Sequence, residues 1–238
     1  MTRYIKKKIK VFDEKFSIEL NKNIFEPNLT TISLIAEAQK IIKKNDKVLD
    51  LGCGSGVIGC YLYKKKIINN IYGSDISKAA VNCSIHNSKK LTKNYDIRLS
   101  DALSNWKDKK FDLVINDVSG ISSKINKVSK WFKSAPNNSG SDGTKFTINI
   151  LKNFKKKKFN NTSLIFPVLG LSNRDKIIGF LKKNNFNYKI LFKKEWPLPK
   201  DLIKHKILLK KLKKEKKINY HEKFSILFTT TEIFYLKN

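Results

Sequence analysis

Cysteine is scarce in this chain of 238 residues, limited to Cys53, Cys60 and Cys83. They form no C-x-x-C pair, and an odd number argues against a disulfide framework. Histidine is equally rare, and His86, His205 and His221 lack the spacing of metal ligands, so no metal site is expected. No apolar run reaches about 18 residues, the length a membrane-spanning helix needs. The N-terminal MTRYIKKKIKVF is basic, but no long apolar segment or small-residue cleavage site follows it. A secretory signal is therefore not expected, and a cytoplasmic protein is.

Acidic residues are also few. Twenty Asp and Glu face 50 Lys and Arg, leaving a net charge of +30. Only Arg3, Arg98 and Arg174 are arginines, so the excess is nearly all lysine. Lysine, asparagine and isoleucine share A/T-rich codons, which discounts part of this signal. The acidic count has not risen to match, and the sequence pI of about 10.0 points to an anionic macromolecular partner. A hydrophobic content of 40% suffices for one sizeable core with a small appendage.

After residue 45 the pattern alternates. KVLDL reads as a short buried strand, followed by a helix from Val57 to Lys65. NIYGSDI is a second strand, and Lys78 to Lys90 a second helix. YDIRLSDA, FDLVINDV and TSLIFPVL continue the strands, with a helix from about Asn173 to Lys183. Strands alternating with helices imply βαβ units and a mostly parallel, doubly wound sheet. YKILFKKEW and KFSILFTTTEIFYLKN read as an antiparallel pair closing one edge. Residues 1–44 form a lead-in, with Thr30 or Thr31 expected to cap a helix from Ile32 to Lys43. Residues 45–238 form the main domain. Within it a basic insertion at about 197–217 has apolar positions that look too spread for one clean helical stripe.

The chemistry centres on VLDLGCGSGVIGC, residues 48–60. Gly54, Gly56 and Gly59 fit the G-x-G-x-x-G turn of dinucleotide sites. Asp50, Gly52, Gly54 and Gly56 instead fit D-x-G-x-G-x-G, which suits a cofactor carrying an amino acid. Such a cofactor presents a carboxylate for backbone N–H groups at a helix N-terminus, and an amino group and a sulfonium for a carboxylate such as Asp50. Asp75 lies about 20 residues past the turn, where an acidic side chain reaches ribose hydroxyls in either case. Asp50 discriminates, because a carboxylate beside a pyrophosphate repels it. Asp101 ends the third strand, placed to accept from an adenine amino group, and Asn116-Asp117 ends the fourth, at the carboxyl edge where ligands bind.

VLDLGCGSGVIG, GSDIS, LSDAL and FDLVIND resemble the successive motifs of class I S-adenosylmethionine-dependent methyltransferases, over about residues 25 to 170. The resemblance implies a Rossmann-like α/β fold: a seven-stranded, mostly parallel sheet with an antiparallel last strand, behind a short helical lead-in. It implies S-adenosyl-L-methionine as cofactor, and cofactor-binding roles for Asp50, Gly52, Gly54, Gly56, Asp75, Ile76, Asp101, Ala102 and Asn116.

Within that family the chain is similar to the N-methyltransferases that include release-factor glutamine and small-domain ribosomal RNA guanine methyltransferases. FEPNLTTISLIAEA resembles their lead-in Val-Phe/Tyr-x-Pro-x-x-x-Ser/Thr, which passes over the methionine end of the cofactor. SGSDGTKFTINIL resembles a G-x-D-G-L segment. FDLVIND occupies the slot of N-P-P-Y/F, where an Asn carbonyl and a backbone carbonyl hold a planar nitrogen in line with the methyl group and an aromatic ring stacks on it. Here the slot reads Asn116-Asp117-Val118-Ser119: the asparagine is kept, while both prolines and the aromatic are replaced. Asn116 can orient a substrate nitrogen, Asp117 can act as a base or bind a cation, and Ser119 completes the catalytic set; with the ring replaced, an alcohol, a carboxylate or an aliphatic amine is open as acceptor too. No cysteine lies in the slot to attack a cytosine ring. The resemblance implies a protein or RNA acceptor in the translation apparatus. A small-molecule acceptor, with Trp131, Phe132 or Trp196 lining a pocket, and a non-catalytic cofactor- or RNA-binding module are the alternatives.

Overall fold

The computed structural model describes residues 3–11, 13–22, 24–118, 120–129, 138–155 and 161–237. The chain opens with an antiparallel hairpin, β1 (Ile5–Val11) and β2 (Glu14–Leu20). Ile9, Val11, Phe16, Ile18 and Leu20 are buried, and Lys8, Lys10 and Lys15 between them are exposed, the period-two alternation of a half-buried sheet. No strand was expected here, because the interleaved lysines make the segment read as basic rather than as apolar.

Helix α1 (Leu29–Ile41) follows. Its cap is Asn28, which replaces the threonine cap expected from the sequence. Asn28 Oδ1 accepts from the backbone of Thr30 at 2.8 Å and of Thr31 at 3.2 Å, and Thr31 Oγ1 accepts from Asn28 N at 3.4 Å. Asparagine is a stronger N-cap than threonine, and this reciprocal box satisfies donors at both positions, so the helix starts three residues earlier.

The alternating region then runs β3 (Val48–Leu51), α2 (Val57–Lys64), β4 (Ile71–Asp75), α3 (Lys78–Ser88), β5 (Tyr95–Leu99), β6 (Leu113–Asn116), α4 (Ser123–Val128), α5 (Lys145–Phe154), β7 (Ser163–Leu169) and α6 (Arg174–Lys183). It closes with β8 (Asn187–Pro197), α7 (Lys200–Ile203), α8 (Lys206–Lys214), β9 (His221–Lys223) and β10 (Ile226–Lys237). Backbone pairing orders seven strands as β5-β4-β3-β6-β7-β10-β8, with the three-residue β9 beside β10. The sheet is parallel from β5 to β7, and the final strand β10 runs antiparallel to β8 and β9. This is the Rossmann-like architecture expected from the sequence.

Two compact units divide the chain, Met1–Asp117 with Lys156–Ile165 and Asn238, and Val118–Lys155 with Phe166–Lys237. In the first, β3 lies between β4 and β6 with all four of its residues buried, as a strand covered on both faces requires. Tyr72, Trp106 and Phe111 pack edge to face, and Arg98 lies 4.1 Å over the Trp106 ring while pairing with Asp96 and Asp108.

In the second unit, Glu232 of β10 is buried and is held by Arg174. The basic insertion does have an apolar face, contrary to the sequence reading. Leu209 and Leu212 of α8 are fully buried with Leu198, Leu202, Ile218 and Tyr220. The stripe is clear once the helix is confined to nine residues; the preceding turn and α7 had blurred the period.

The capping geometry is directly testable. Asn28→Ala should cost about 1 kcal/mol in chemical denaturation, and Thr30→Ala, which removes no cap, should stay within about 0.5 kcal/mol of wild type.

Candidate active site

Parallel strands β3, β4, β5 and β6 end on one edge, in register through Leu51↔Ser74, Asp75↔Leu99 and Leu51↔Asn116. That register brings Asp50, Asp75 and Asn116-Asp117 together. Asp101 and Ala102 sit in the turn after β5, tied back by Ser100, whose N–H donates to Asp75 O at 2.9 Å and whose hydroxyl donates to Ala102 O at 2.8 Å. Ala102 takes a left-handed φ of 48°. Asp101 is exposed, and Ile76, just past β4, is 61% exposed although apolar.

The glycine turn is shaped mostly from within. Gly52 and Cys53 N–H groups donate to Ser74 O at 2.8 and 2.9 Å, and Gly54 N–H donates to Asp75 Oδ2 at 3.0 Å. Gly56 N–H donates to Cys53 O at 2.6 Å. Most of the donors expected to meet a ligand carboxylate are thus used to fold the turn. Two glycines have distinct reasons to be glycine. At Gly56 (φ 77°) an added Cβ would meet Ser84 Oγ at 2.4 Å, so its smallness lets α2 approach α3. At Gly54 (φ 52°) an added Cβ would meet nothing closer than 4.0 Å, so the backbone there faces open space that another group can approach.

Three carboxylates dominate the electrostatics. Asp50 is 2% exposed; its Oδ2 accepts from Gly59 N at 3.4 Å, while buried Oδ1 has no hydrogen-bond partner. Burial, then the charge of Asp117, push the Asp50 carboxyl well above its ordinary range; the Gly59 N–H opposes them, by more than the charge of Asp75 adds. Burial also raises Asp75, though Ser77 N–H at 2.9 Å and Gly54 N–H stabilise its ionised form. Burial pushes Asp117 up to about 7, offset in part by the hydroxyl of Thr31, which donates to Oδ2 at 2.7 Å. A cluster of this kind favours a positively charged guest, which would restore ionisation to all three groups.

Thr31 is the residue the sequence reading used only as a helix cap. Its signal was present: Thr31 occupies the Ser/Thr position of the lead-in pattern, counted from Phe25 and Pro27. Asn116 is 1% exposed. Ser119, Trp131 and Phe132 lie outside the described residues. Trp196 lies in β8 with Lys194 Nζ 4.5 Å over its ring. In SGSDGTKF, Asp142 Oδ1 accepts from the backbone and hydroxyl of Thr144 at 3.1 and 2.8 Å, and its Oδ2 pairs with Lys176 at 2.6 Å, so this segment secures the start of α5. Among the described residues no group of histidine, cysteine and acidic side chains is arranged to hold a metal, and no helix is long and apolar enough to cross a membrane.

The family profile of the methyltransferase small domain matches residues 30–159. A ribosomal protein L11 methyltransferase of Thermosipho melanesiensis is 38% identical over 90 residues, 37% of this chain and 34% of that protein. The protein of the same name from Thermotoga neapolitana is 32% identical over 89 residues, 37% of this chain and 33% of that one. The similarity spans about a third of the length of these curated relatives. Among solved structures, the E. cuniculi Mtq2–Trm112 complex, responsible for methylation of the termination factor eRF1, superposes with a TM-score of 0.57 and 13% identity over 91% of this chain and 99% of that one. The ribosomal protein L11 methylase of Lactobacillus delbrueckii subsp. bulgaricus gives 0.55 and 15% identity over 94% and 88%. These two likenesses show a shared fold.

The raised carboxyls carry a pH signature. In the unliganded protein Asp117 stays protonated in the fold up to about 7, whereas in the unfolded chain it ionises near 3.8. Stability contributed through this group therefore falls as pH rises between those values. Asp117→Asn should flatten the decline in urea-denaturation midpoint across that window, and Thr31→Val should move it to higher pH.

Proposed function

We propose that the chain, a member of the methyltransferase small domain family, is an S-adenosylmethionine-dependent methyltransferase whose acceptor is a nitrogen of a protein or RNA of the translation apparatus. The observation that carries this reading is the buried, unpartnered Oδ1 of Asp50 amid the charges of Asp75 and Asp117, beside the open face of Gly54. An amino group or sulfonium is the guest that such a cluster accommodates, and the phosphates of a dinucleotide are not.

When bound, the cofactor supplies a methyl group on positively charged sulfur, which is already activated for transfer. In this reading Asp50 receives the positive centre, Gly54 lets the backbone approach it closely, and Gly52 and Gly56 hold the turn in the shape that presents it. Asp75, its carboxylate fixed by two backbone donors, offers its remaining lone pairs to ribose hydroxyls. Ile76 and Ala102 flank the base and Asp101 accepts from its amino group. Asn116 orients the acceptor nitrogen by accepting an N–H bond through its side-chain carbonyl.

Methylation of an N–H nitrogen releases one proton, and Asp117 is the proposed acceptor for it. A carboxylate that titrates near neutrality is matched to that task at physiological pH. Thr31 holds one oxygen of Asp117 and leaves the other for the substrate. In place of the family's stacking ring stands Ser119, which provides no aromatic face, so substrate orientation rests more heavily on Asn116 and Asp117. The names of the curated relatives and the eRF1-methylating structural neighbour support a target in translation.

Calorimetric titration with S-adenosylmethionine, its demethylated product and NAD tests the cofactor geometry. The first two should bind selectively, and Asp50→Asn should weaken S-adenosylmethionine at least about tenfold, since it removes a charge-assisted contact. Affinity for S-adenosylmethionine should rise through about pH 7 as Asp117 ionises, more steeply than for the product, whose sulfur is neutral. Equal binding of NAD would overturn the assigned roles. Transfer of labelled methyl to fractionated RNA or ribosomal and release-factor proteins then tests the acceptor.

A further inference from the structure

The unit formed by Val118–Lys155 and Phe166–Lys237 carries two features that the methyl-transfer site does not use. The first is the outer face of α8. Its inner face is fixed by Leu209 and Leu212, fully buried, so the helix cannot rotate to hide what lies opposite. Away from that face lie Lys206, Lys210 and Lys214, all exposed at i, i+4 and i+8 with the exposed Ile207 among them, and on their flank exposed Lys213, whose Nζ lies 4.8 Å over the Tyr220 ring. Among the described residues no carboxylate lies within salt-bridge distance of any of the four. Lys206, Lys210 and Lys214 each step about 6 Å along the axis. Like charges so placed repel one another, and an anionic chain running along the helix would relieve that repulsion.

The second feature is the turn joining β9 to β10. Lys223 pairs with Ile226, leaving Phe224 and Ser225 as a two-residue loop with φ of 49° and 60°. Both values are left-handed, as in a type I′ turn, where Asn-Gly is the favoured pair. A phenylalanine there is strained, and it is 95% exposed, so neither backbone preference nor burial accounts for its presence. The tip is also braced. Lys223 pairs with Glu195 at 2.7 Å, and Leu227 packs on the cluster that buries Leu209 and Leu212. The ring thus projects from the scaffold that presents the lysine stripe.

We propose that this unit binds single-stranded RNA, with Lys206, Lys210, Lys213 and Lys214 of α8 contacting phosphates and Phe224 stacking on an unpaired base. A row of lysines and a solvent-facing aromatic anchored on the same apolar cluster are the combination that single strands recognise: charge follows the backbone, and a ring supplies a face that any base can cover. An acidic protein would be served by the lysines alone and does not require an exposed ring held on a left-handed turn. The proposal rests on the methyltransferase reading only in making the RNA an acceptor; binding itself requires no methyl transfer.

The test is fluorescence anisotropy of the full-length protein with a labelled single-stranded RNA oligonucleotide of mixed sequence, over a salt series. Duplex RNA, polyglutamate and phosphatidylglycerol vesicles serve as comparators. Single-stranded RNA should bind most tightly. The variant with all four lysines changed to alanine should reduce the slope of log affinity against log salt by about 3. Phe224→Asn should weaken binding to single strands about tenfold while maintaining or raising the melting temperature, because asparagine accepts the left-handed backbone that strains phenylalanine. Retention of RNA affinity in Phe224→Asn, an unchanged salt slope in the lysine variant, or tighter binding to polyglutamate or vesicles would each overturn the proposal. Titration of the same variants with S-adenosylmethionine separates the two readings. Cofactor binding without RNA binding sinks only this inference, and RNA binding without cofactor binding sinks only the assigned cofactor site.

Discussion

The rest of the site depends on the burial of one carboxylate. Asp50 lies in the central strand of the parallel sheet, where all four residues are covered, and one of its oxygens has no hydrogen-bond partner. A buried acceptor without a donor is costly, and a charge in the same place costs more. Burial accordingly pushes the Asp50 carboxyl well above its ordinary range, and raises those of neighbouring Asp75 and Asp117 as well. Such a cluster disfavours a further negative charge and favours a positive one.

The glycine turn takes its shape from the same neighbourhood. Its N–H groups close on Ser74 and Asp75 of the adjoining strand, so Asp75 both ends β4 and fixes the loop after β3. These bonds tie the two motifs to each other through one carboxylate. Thr31 plays the equivalent part from the lead-in. It completes the capping box of α1 and orients Asp117 with the same side chain, which ties the start of a helix to the chemistry at the end of β6.

Charge and apolar surface are segregated differently in the unit that carries α8. There the abundant lysine is sorted by helical geometry, leucines inward and lysines outward, and the sorting turns a compositional bias into a directional surface. The buried Glu232 does not dilute it, because its charge is met within the fold by Arg174.

Sequence by itself determined the elements whose signal is local. Strands VLDL, IYGSD and LVIN, the helices between them and the antiparallel closure were legible because apolar period and turn residues are properties of adjacent positions. The residue types of the cofactor motif were legible for the same reason, as was the loss of prolines and aromatic ring after Asn116. Three matters were decided by tertiary structure. The hairpin of residues 5–20 became visible only when its alternating face was buried. Asn28 displaced the threonines as cap because Thr31 Oγ1 serves Asn28 and Asp117 instead. The unusual state of Asp117 arises from burial and from a hydroxyl 86 positions away in sequence. Local spacing carries propensity, whereas desolvation and hydrogen bonds across the chain exist only after strands distant in sequence have come into register.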